Sequence, residues 1–347
     1  MDKEWPKRYH SGVKSCIQQD KFEYYLKSFS NTYWLRPMTA IWRAIEAAYF
    51  DFESIYLNNQ EKEWVDLGVG DGIFTSVATG LRLPKNFDAY WWLKENWETN
   101  LDLEGRPDLF DSVPTKKFSS IKNKNFKLNS KVKIKTPWAL GIDHKSNLLL
   151  KAKVLGTFKS LREATFNDPD RLFDKNEIFD LCFSNSLYWS KNPSSVLNKI
   201  RLHVNESSNP SLLLSLQLPN FAKYRQGVIN DFGQMGDFFD RGRKEHYQSV
   251  YEAEKWLKIL NESGFEVIEN YFMANKNLVH SIEWMDNREL YPYFAKMRSK
   301  LKYRDQMKIK LEISDYIQKL GTECFKSGVF DADMETSSYL LIKARAI

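Results

Sequence analysis

From Met38 to Phe50 apolar residues return every three or four positions, which predicts a helix with Pro37 in its first turn. Residues 1–60 as a whole read as helical. Trp64-Val65-Asp66-Leu67 reads as a short strand running into a glycine-rich turn, with a helix following over 73–83. Beyond Pro84 the periodicity breaks up, through Trp91, Trp92 and Trp97 and a lysine-rich run that lasts to Pro137. Regular pattern resumes with a strand over Trp138–Asp143 and a helix over Ser146–Leu155. A strand over Phe179–Ser184 and a helix near 194–203 come next. Leu212 to Leu218 is almost unbroken apolar sequence, the signature of a parallel strand buried on both faces. Residues 227–247 are irregular and rich in Gly, Asp and Arg. A helix over Tyr251–Ser263 then ends at Gly264 and feeds a strand over Phe265–Ile268. Residues 288–327 are helical again, and Tyr339–Ala344 closes the series as a strand.

Strands alternating with helices predict an α/β fold whose mostly parallel sheet is covered on both faces. The chain's 347 residues suit one such core with sizeable additions, and its 42% apolar and 15% aromatic content is enough to fill it. Cys16, Cys182 and Cys324 are too scattered for a zinc cluster and odd in number for a disulfide framework, which fits a reducing compartment. The first residues hold no apolar signal-peptide core, and no window approaches 18 uninterrupted apolar residues. A cytoplasmic location without a membrane span is therefore expected. The net charge of +6 is a local matter: Lys116 to Lys135 holds eight lysines and no acid, which leaves the rest of the chain at −2. A nucleic-acid surface wants basic residues spread over a face of the fold, and this pattern does not supply them.

The sharpest motif is Asp66-Leu67-Gly68-Val69-Gly70-Asp71-Gly72. Glycines between a strand and a helix let a ligand approach backbone that any Cβ would screen. A dinucleotide fingerprint would need a third small residue at position 73, where Ile73 stands. An acid at Asp66 also sits badly against a pyrophosphate but suits a ligand carrying ammonium and sulfonium groups. The plain alternative is an ordinary glycine-rich strand-to-helix turn.

Asp-x-Gly-x-Gly-Asp-Gly after a strand resembles the first motif of the class I, Rossmann-like S-adenosylmethionine-dependent methyltransferases. Later segments are similar to the family's landmarks in the same order. Gly141-Ile142-Asp143 resembles the second strand's end, whose acid would hold the ribose hydroxyls through charge-assisted hydrogen bonds, with His144 beside it. Asn167-Asp168 stands where the family contacts adenine. Phe179 to Trp189, including Ser184, Asn185 and Ser186, resembles the floor under the methyl donor. Trp256 to Val267 is similar to the late helix–turn–strand. The resemblance covers roughly residues 64–83, 138–270 and 336–347. It implies a seven-stranded, mostly parallel Rossmann-like sheet with helices on both faces. It also implies S-adenosylmethionine as cofactor, held by Asp66, Gly68, Gly70, Asp71, Gly72, Asp143, His144, Asn167, Asp168, Ser184, Asn185 and Ser186. The chain departs from the pattern where Asp143 lies far beyond the glycine turn, so residues 84–137 read as an insertion. Asp88 is nearer the usual spacing but no strand precedes it. The glycine pair often found before the fifth strand is replaced by Asn205 to Pro210.

The domain division that follows is a helical lid over 1–60, carrying Tyr33, Trp34, Arg36 and Arg43, and a methyltransferase domain over 61–347. Its insertions fall at about 84–137 and 271–335. The expected reaction is methyl transfer to a small-molecule acceptor, most simply O-methylation of a sugar-containing or anionic metabolite. Diffuse similarity to enzymes that modify sugars in surface-polysaccharide pathways points the same way. His246 is the candidate general base, and Tyr188, Trp189, Arg241 and Tyr247 are candidate acceptor contacts. His10, His203 and His280 read as structural or exposed. No His or Cys pair has metal-ligand spacing, so no metal is expected. Two other readings compete: a nucleic-acid methyltransferase, supported only by the lysine run, and a non-catalytic S-adenosylmethionine-binding partner subunit. A nicotinamide oxidoreductase ranks below both because of Ile73 and Asp66.

Overall fold

Eight strands form one sheet: β1 (Tyr9–His10), β2 (Trp64–Leu67), β3 (Trp138–Asp143), β4 (Ser160–Glu163), β5 (Leu181–Ser184), β6 (Leu212–Gln217), β7 (Phe265–Met273) and β8 (Tyr339–Ala346). They lie in the spatial order β1-β7-β8-β6-β5-β2-β3-β4. The computed structural model describes residues 9–10, 13–57, 63–83, 85, 87, 138–236, 250–286, 294, 297–298 and 300–347. The lysine-rich run, Asp88, Arg241, His246 and Tyr247 lie outside those residues.

The seven strands expected are present, with β1 added as a two-residue edge beside β7, but the sheet corrects the expectation of a mostly parallel one: it is mixed. The strand β8 runs antiparallel to both of its neighbours, β6 and β7. The physical reason lies in the connection. The chain leaves β7 at Met273 and re-enters β8 at Tyr339, directly opposite, so β8 starts at the end of the sheet where β7 stops and runs the other way.

The helices are α1 (Val13–Cys16), α2 (Gln19–Thr32), α3 (Pro37–Phe50), α4 (Phe52–Leu57), α5 (Ile73–Ala78), α6 (Ser146–Leu155), α7 (Pro193–His203), α8 (Pro219–Asp231), α9 (Ala253–Glu262), α10 (Lys276–Met285) and α11 (Tyr303–Ser327). Local chemistry sets several boundaries. Pro193 opens α7 while the Asn192 side chain accepts the Ser195 N–H. Pro37 opens α3, and the buried Asp286 carboxylate accepts the free N–H groups of Met38 and Thr39. The helix expected over 73–83 stops at Ala78, where the Thr79 hydroxyl bonds back to the Thr75 carbonyl. The stretch from 227 is not irregular throughout: α8 continues to Asp231. Likewise β7 extends beyond Ile268 to Met273. The edge strand β4 went unpredicted because Ser160-Leu161-Arg162-Glu163 is a polar, partly exposed sequence without an apolar run.

Two hydrophobic clusters sandwich the sheet. One joins Trp64, Phe183, Leu213, Tyr271 and Leu341 to α2 and α3; the other joins Val65, Leu67, Cys182, Leu212 and Leu214 to α7 and α9. Alternation along each strand sends neighbouring residues to opposite clusters. The first cluster is dense in aromatic rings. Phe52 alone lies within 6.4 Å, centroid to centroid, of Phe50, Trp64, Phe74, Trp138 and Phe183. On its outer side α11 approaches α2 and α3 at Gly321, where a Cβ would come within 2.6 Å of Leu26 and 3.1 Å of Ile41. No described helix is long and apolar enough to cross a membrane.

Because Phe52 joins the N-terminal helices to the sheet, Phe52→Ala is expected to destabilise the protein by about 3–5 kcal/mol, as other buried Phe→Ala changes do. Equilibrium urea denaturation measures it.

Candidate functional site

The strand order reverses between β2 and β5, because the chain proceeds outward through β3 and β4 on one side and through β6 on the other. A crevice beyond the carboxyl ends of strands at such a switch point is the usual ligand position in an open α/β sheet. The glycine turn stands there. Gly68 and Val69 donate N–H groups to the Ile142 carbonyl at 2.8 and 3.0 Å, which pins the turn to β3. Gly68, Gly70 and Gly72 have φ values of +83°, +57° and +72°. A Cβ at Gly68 would lie 1.6 Å from Ser186 Oγ, so β2 and the loop after β5 meet at a point only glycine fits. A Cβ at Gly70 would meet nothing within 4 Å, so its demand for glycine comes from backbone conformation, and the space before it is open.

Asp66 lies on the same face of β2 as Trp64, under α3, and is 1% exposed. Its Oδ2 accepts the Thr75 hydroxyl, while Oδ1 is buried without a hydrogen-bond partner among the described residues. Burial pushes its pKa up to about 7; the Thr75 hydrogen bond and Arg43 pull against that, while Asp143 and Glu46 reinforce it. Burial also raises the Asp71 carboxyl, opposed by Lys151 and by the Ile73 N–H that it accepts at 3.1 Å.

Asp143 closes β3. Its Oδ2 accepts the Gly70 N–H at 2.8 Å and its Oδ1 the Lys145 N–H at 2.9 Å, which fixes the carboxylate beside the glycine turn. His144 Nδ1 lies 3.4 Å from Asp143 Oδ1, with the ring largely in solvent. The end of β5 is stitched to β2: the Ser184 and Ser186 hydroxyls both donate to the Leu67 carbonyl, at 2.7 and 3.2 Å. Asn185 is half-buried between them. Tyr188 is also half-buried, 6.4 Å from the Tyr339 ring, and its hydroxyl pKa is raised by burial; Trp189 is 46% exposed. Asn167 and Asp168 lie in the loop after β4. Asn167 is exposed, and Asp168 faces Arg171 at 4.0 Å. The structure thus gathers Asp66, Gly68, Gly70, Asp71, Gly72, Asp143, Ser184 and Ser186 at the carboxyl ends of β2, β3 and β5, with Tyr188 just after β5.

Several neighbours were missed by sequence reasoning. Phe166, in the loop after β4, reaches 3.7 Å from the Cβ position of Gly68. On α3, Glu46 is fully buried and its Oε2 pairs with Arg43. Arg43 itself is wedged between the Trp42 and Phe74 rings, 5.0 and 5.1 Å from their centroids. The signal for Glu46 was present: it is the one acid in a predicted helix whose other residues are almost all apolar. Among the described residues no three His, Cys, Asp or Glu side chains are grouped to hold a metal.

No family model matches the sequence, and no curated protein matches it. Solved structures do show likeness. A protein described as a methyltransferase from Bacillus halodurans C-125 is 14% identical, covering 85% of this chain and 96% of its own, with a TM-score of 0.39. A SAM-dependent methyltransferase from Geobacter sulfurreducens, in complex with S-adenosyl-L-homocysteine, is 10% identical, covering 86% of this chain and 91% of its own, with a TM-score of 0.38. The [4+2]-cyclase SpnF is 10% identical, covering 88% of this chain and 81% of its own, with a TM-score of 0.41. Overlap this loose carries no functional weight.

Two outcomes are expected of this geometry. Gly68→Ala should cost stability through both the positive φ and the Ser186 collision. Adding Ser186→Gly should recover the collision and leave roughly 1–2 kcal/mol of backbone strain, read from denaturation midpoints. The raised Asp66 pKa sets a pH slope. Folded Asp66 keeps a proton that the unfolded chain has released, so stability falls as pH rises from about 4 to 7. Asp66→Asn should be more stabilising, relative to wild type, near pH 7.5 than near pH 4.5 in parallel melts.

Proposed function

We propose that this chain is an enzyme that binds S-adenosylmethionine in the crevice between the ends of β2 and β5 and transfers its methyl group to a small-molecule acceptor. The observation that carries the reading is Asp66 Oδ1, a buried carboxylate oxygen without a hydrogen-bond partner among the described residues, next to a turn of three positive-φ glycines and one strand from Asp143. A buried charge left unmatched is costly, so the site favours a ligand that brings a cationic donor. Pyrophosphate, being anionic, would be repelled by Asp66, Asp71 and Asp143 together.

The residues fit the cofactor in kind. Asp66 would receive its ammonium group and Asp143 its ribose hydroxyls; each Asp143 oxygen keeps acceptor capacity beyond the one backbone N–H it holds. Gly70 leaves open backbone for close approach. Asn167 and Asp168 would border the adenine, and His144 the ribose. When bound, the cofactor supplies an electrophilic methyl group on a sulfonium. The protein's work is then to align the acceptor in line with that methyl, take up its proton and exclude water. Tyr188, with Trp42 and Tyr339 behind it, walls the side where an acceptor would lie; the Trp42 and Tyr339 rings are 4.5 Å apart. In this reading residues 1–60 act as a lid on a methyltransferase domain formed by 61–347. The acceptor is a hydroxyl of a sugar-containing or anionic metabolite, His246 is its base, and Trp189, Arg241 and Tyr247 complete its contacts.

Calorimetry with S-adenosylhomocysteine tests the cofactor assignment. Wild type is expected to bind in the micromolar range, with Asp66→Ala and Asp143→Ala each weakening binding by roughly 1–3 kcal/mol. A wild type that does not bind would overturn the methyltransferase reading.

A further inference from the structure

Asp66 is not the sole acid with an open oxygen at this crevice. Glu46, on α3, is fully buried, and its Oε1 has no hydrogen-bond partner among the described residues although Oε2 is held by Arg43. The two carboxylates approach from opposite sides. Asp66 rises from the sheet at the end of β2, and Glu46 descends from the helix packed over the same face.

The ring contacts fix where the Glu46 face of α3 points. Trp42 and Arg43 lie four and three residues before Glu46, so all three share that face. The Arg43 guanidinium rests on Phe74, in α5 just after the glycine turn. Trp42 rests on Tyr339, which in turn meets Tyr188 just after β5. This face of α3 therefore spans the gap between the β2 turn and the β5 loop. Glu46 influences Asp66 and Tyr188 electrostatically, as a group between them would.

We infer that Glu46 and Asp66 form a two-carboxylate receptacle for the α-ammonium group of the ligand, with Arg43 holding Glu46 in position. The inference rests on the S-adenosylmethionine reading above and adds to it a binding residue from outside the glycine-turn strand. An ammonium has three N–H donors. Asp66 Oδ1 and Glu46 Oε1 take two of them, which relieves both unpaired oxygens in one event. The charge balance agrees: Arg43 offsets one of the two acids, and the ligand's ammonium offsets the other. Glu46 thereby makes α3 part of the binding surface.

Three probes separate the possibilities by calorimetry on wild type and Glu46→Gln. S-adenosylhomocysteine carries the amino-acid end; 5′-methylthioadenosine lacks it; sinefungin keeps it and places a further amine where the sulfonium would be. The expected result is a loss of roughly 10- to 100-fold for S-adenosylhomocysteine and sinefungin alike, with 5′-methylthioadenosine unchanged. The unchanged probe also shows that the variant is folded. Loss for sinefungin alone would place Glu46 at the sulfur and overturn the receptacle. Equal loss for all three probes, or no loss for any, overturns it as well. Failure of wild type to bind any of them removes the methyltransferase reading itself, whereas wild-type binding that Glu46→Gln leaves intact removes only the receptacle.

Discussion

The burial of a carboxylate at the end of β2 is the constraint around which the rest is arranged. Asp66 sits between the sheet and the helices that cover it, where a charge is hard to sustain and where, among the described residues, Thr75 alone answers one of its oxygens. Everything nearby either tolerates that burden or reduces it. Arg43 approaches from above, while Gly68, Gly70 and Gly72 in the turn carry no side chain that could fill the space instead. Replacing Asp66 by an apolar residue would be the simple way to stabilise the fold. Its retention makes physical sense for a site that awaits a cation, since stability surrendered at such positions is a common companion of function.

That arrangement depends on the aromatic layer joining the N-terminal helices to the sheet. Phe50, Phe52, Phe74, Trp64, Trp138 and Phe183 interlock through edge-to-face, tilted and stacked contacts, so rings set the register of α3 over the sheet. Stiff, well-packed rings resist sliding, which keeps a charged pair such as Arg43–Glu46 from drifting relative to the acids below. The helices over 13–57 share one hydrophobic cluster with the sheet. Any lid motion would therefore have to occur without separating that cluster.

Much of the sheet was legible because buried parallel strands are written as apolar runs: Leu212 to Gln217 and Leu181 to Ser184 are buried at every position. The glycine turn was legible because its residue types are dictated by backbone conformation. What escaped had weaker local marks. The polar edge strand β4 looks like loop sequence. The direction of β8 depends on where a long connection returns, which no local pattern encodes. Glu46 escaped for another reason: a single acid in an apolar helix announces burial without saying which distant group it faces. Asn167 and Asp168 were placed by resemblance alone, and they lie in a partly exposed loop where the Asn167 N–H bonds to the Thr165 hydroxyl and Asp168 faces Arg171.

The cap on α3 has a consequence for how the protein comes into being. The N–H groups that begin α3 are satisfied by Asp286, 247 and 248 residues away along the chain. During synthesis the first helices emerge long before that carboxylate exists, and before β5, β6 and β8 exist to receive their apolar face. The amino-terminal segment must therefore wait, its aromatic stripe exposed, until most of the chain has left the ribosome. Such a chain gains the closing wall of its crevice last. Truncations that remove Asp286 yet spare every residue of the glycine turn would still leave the start of α3 without its cap.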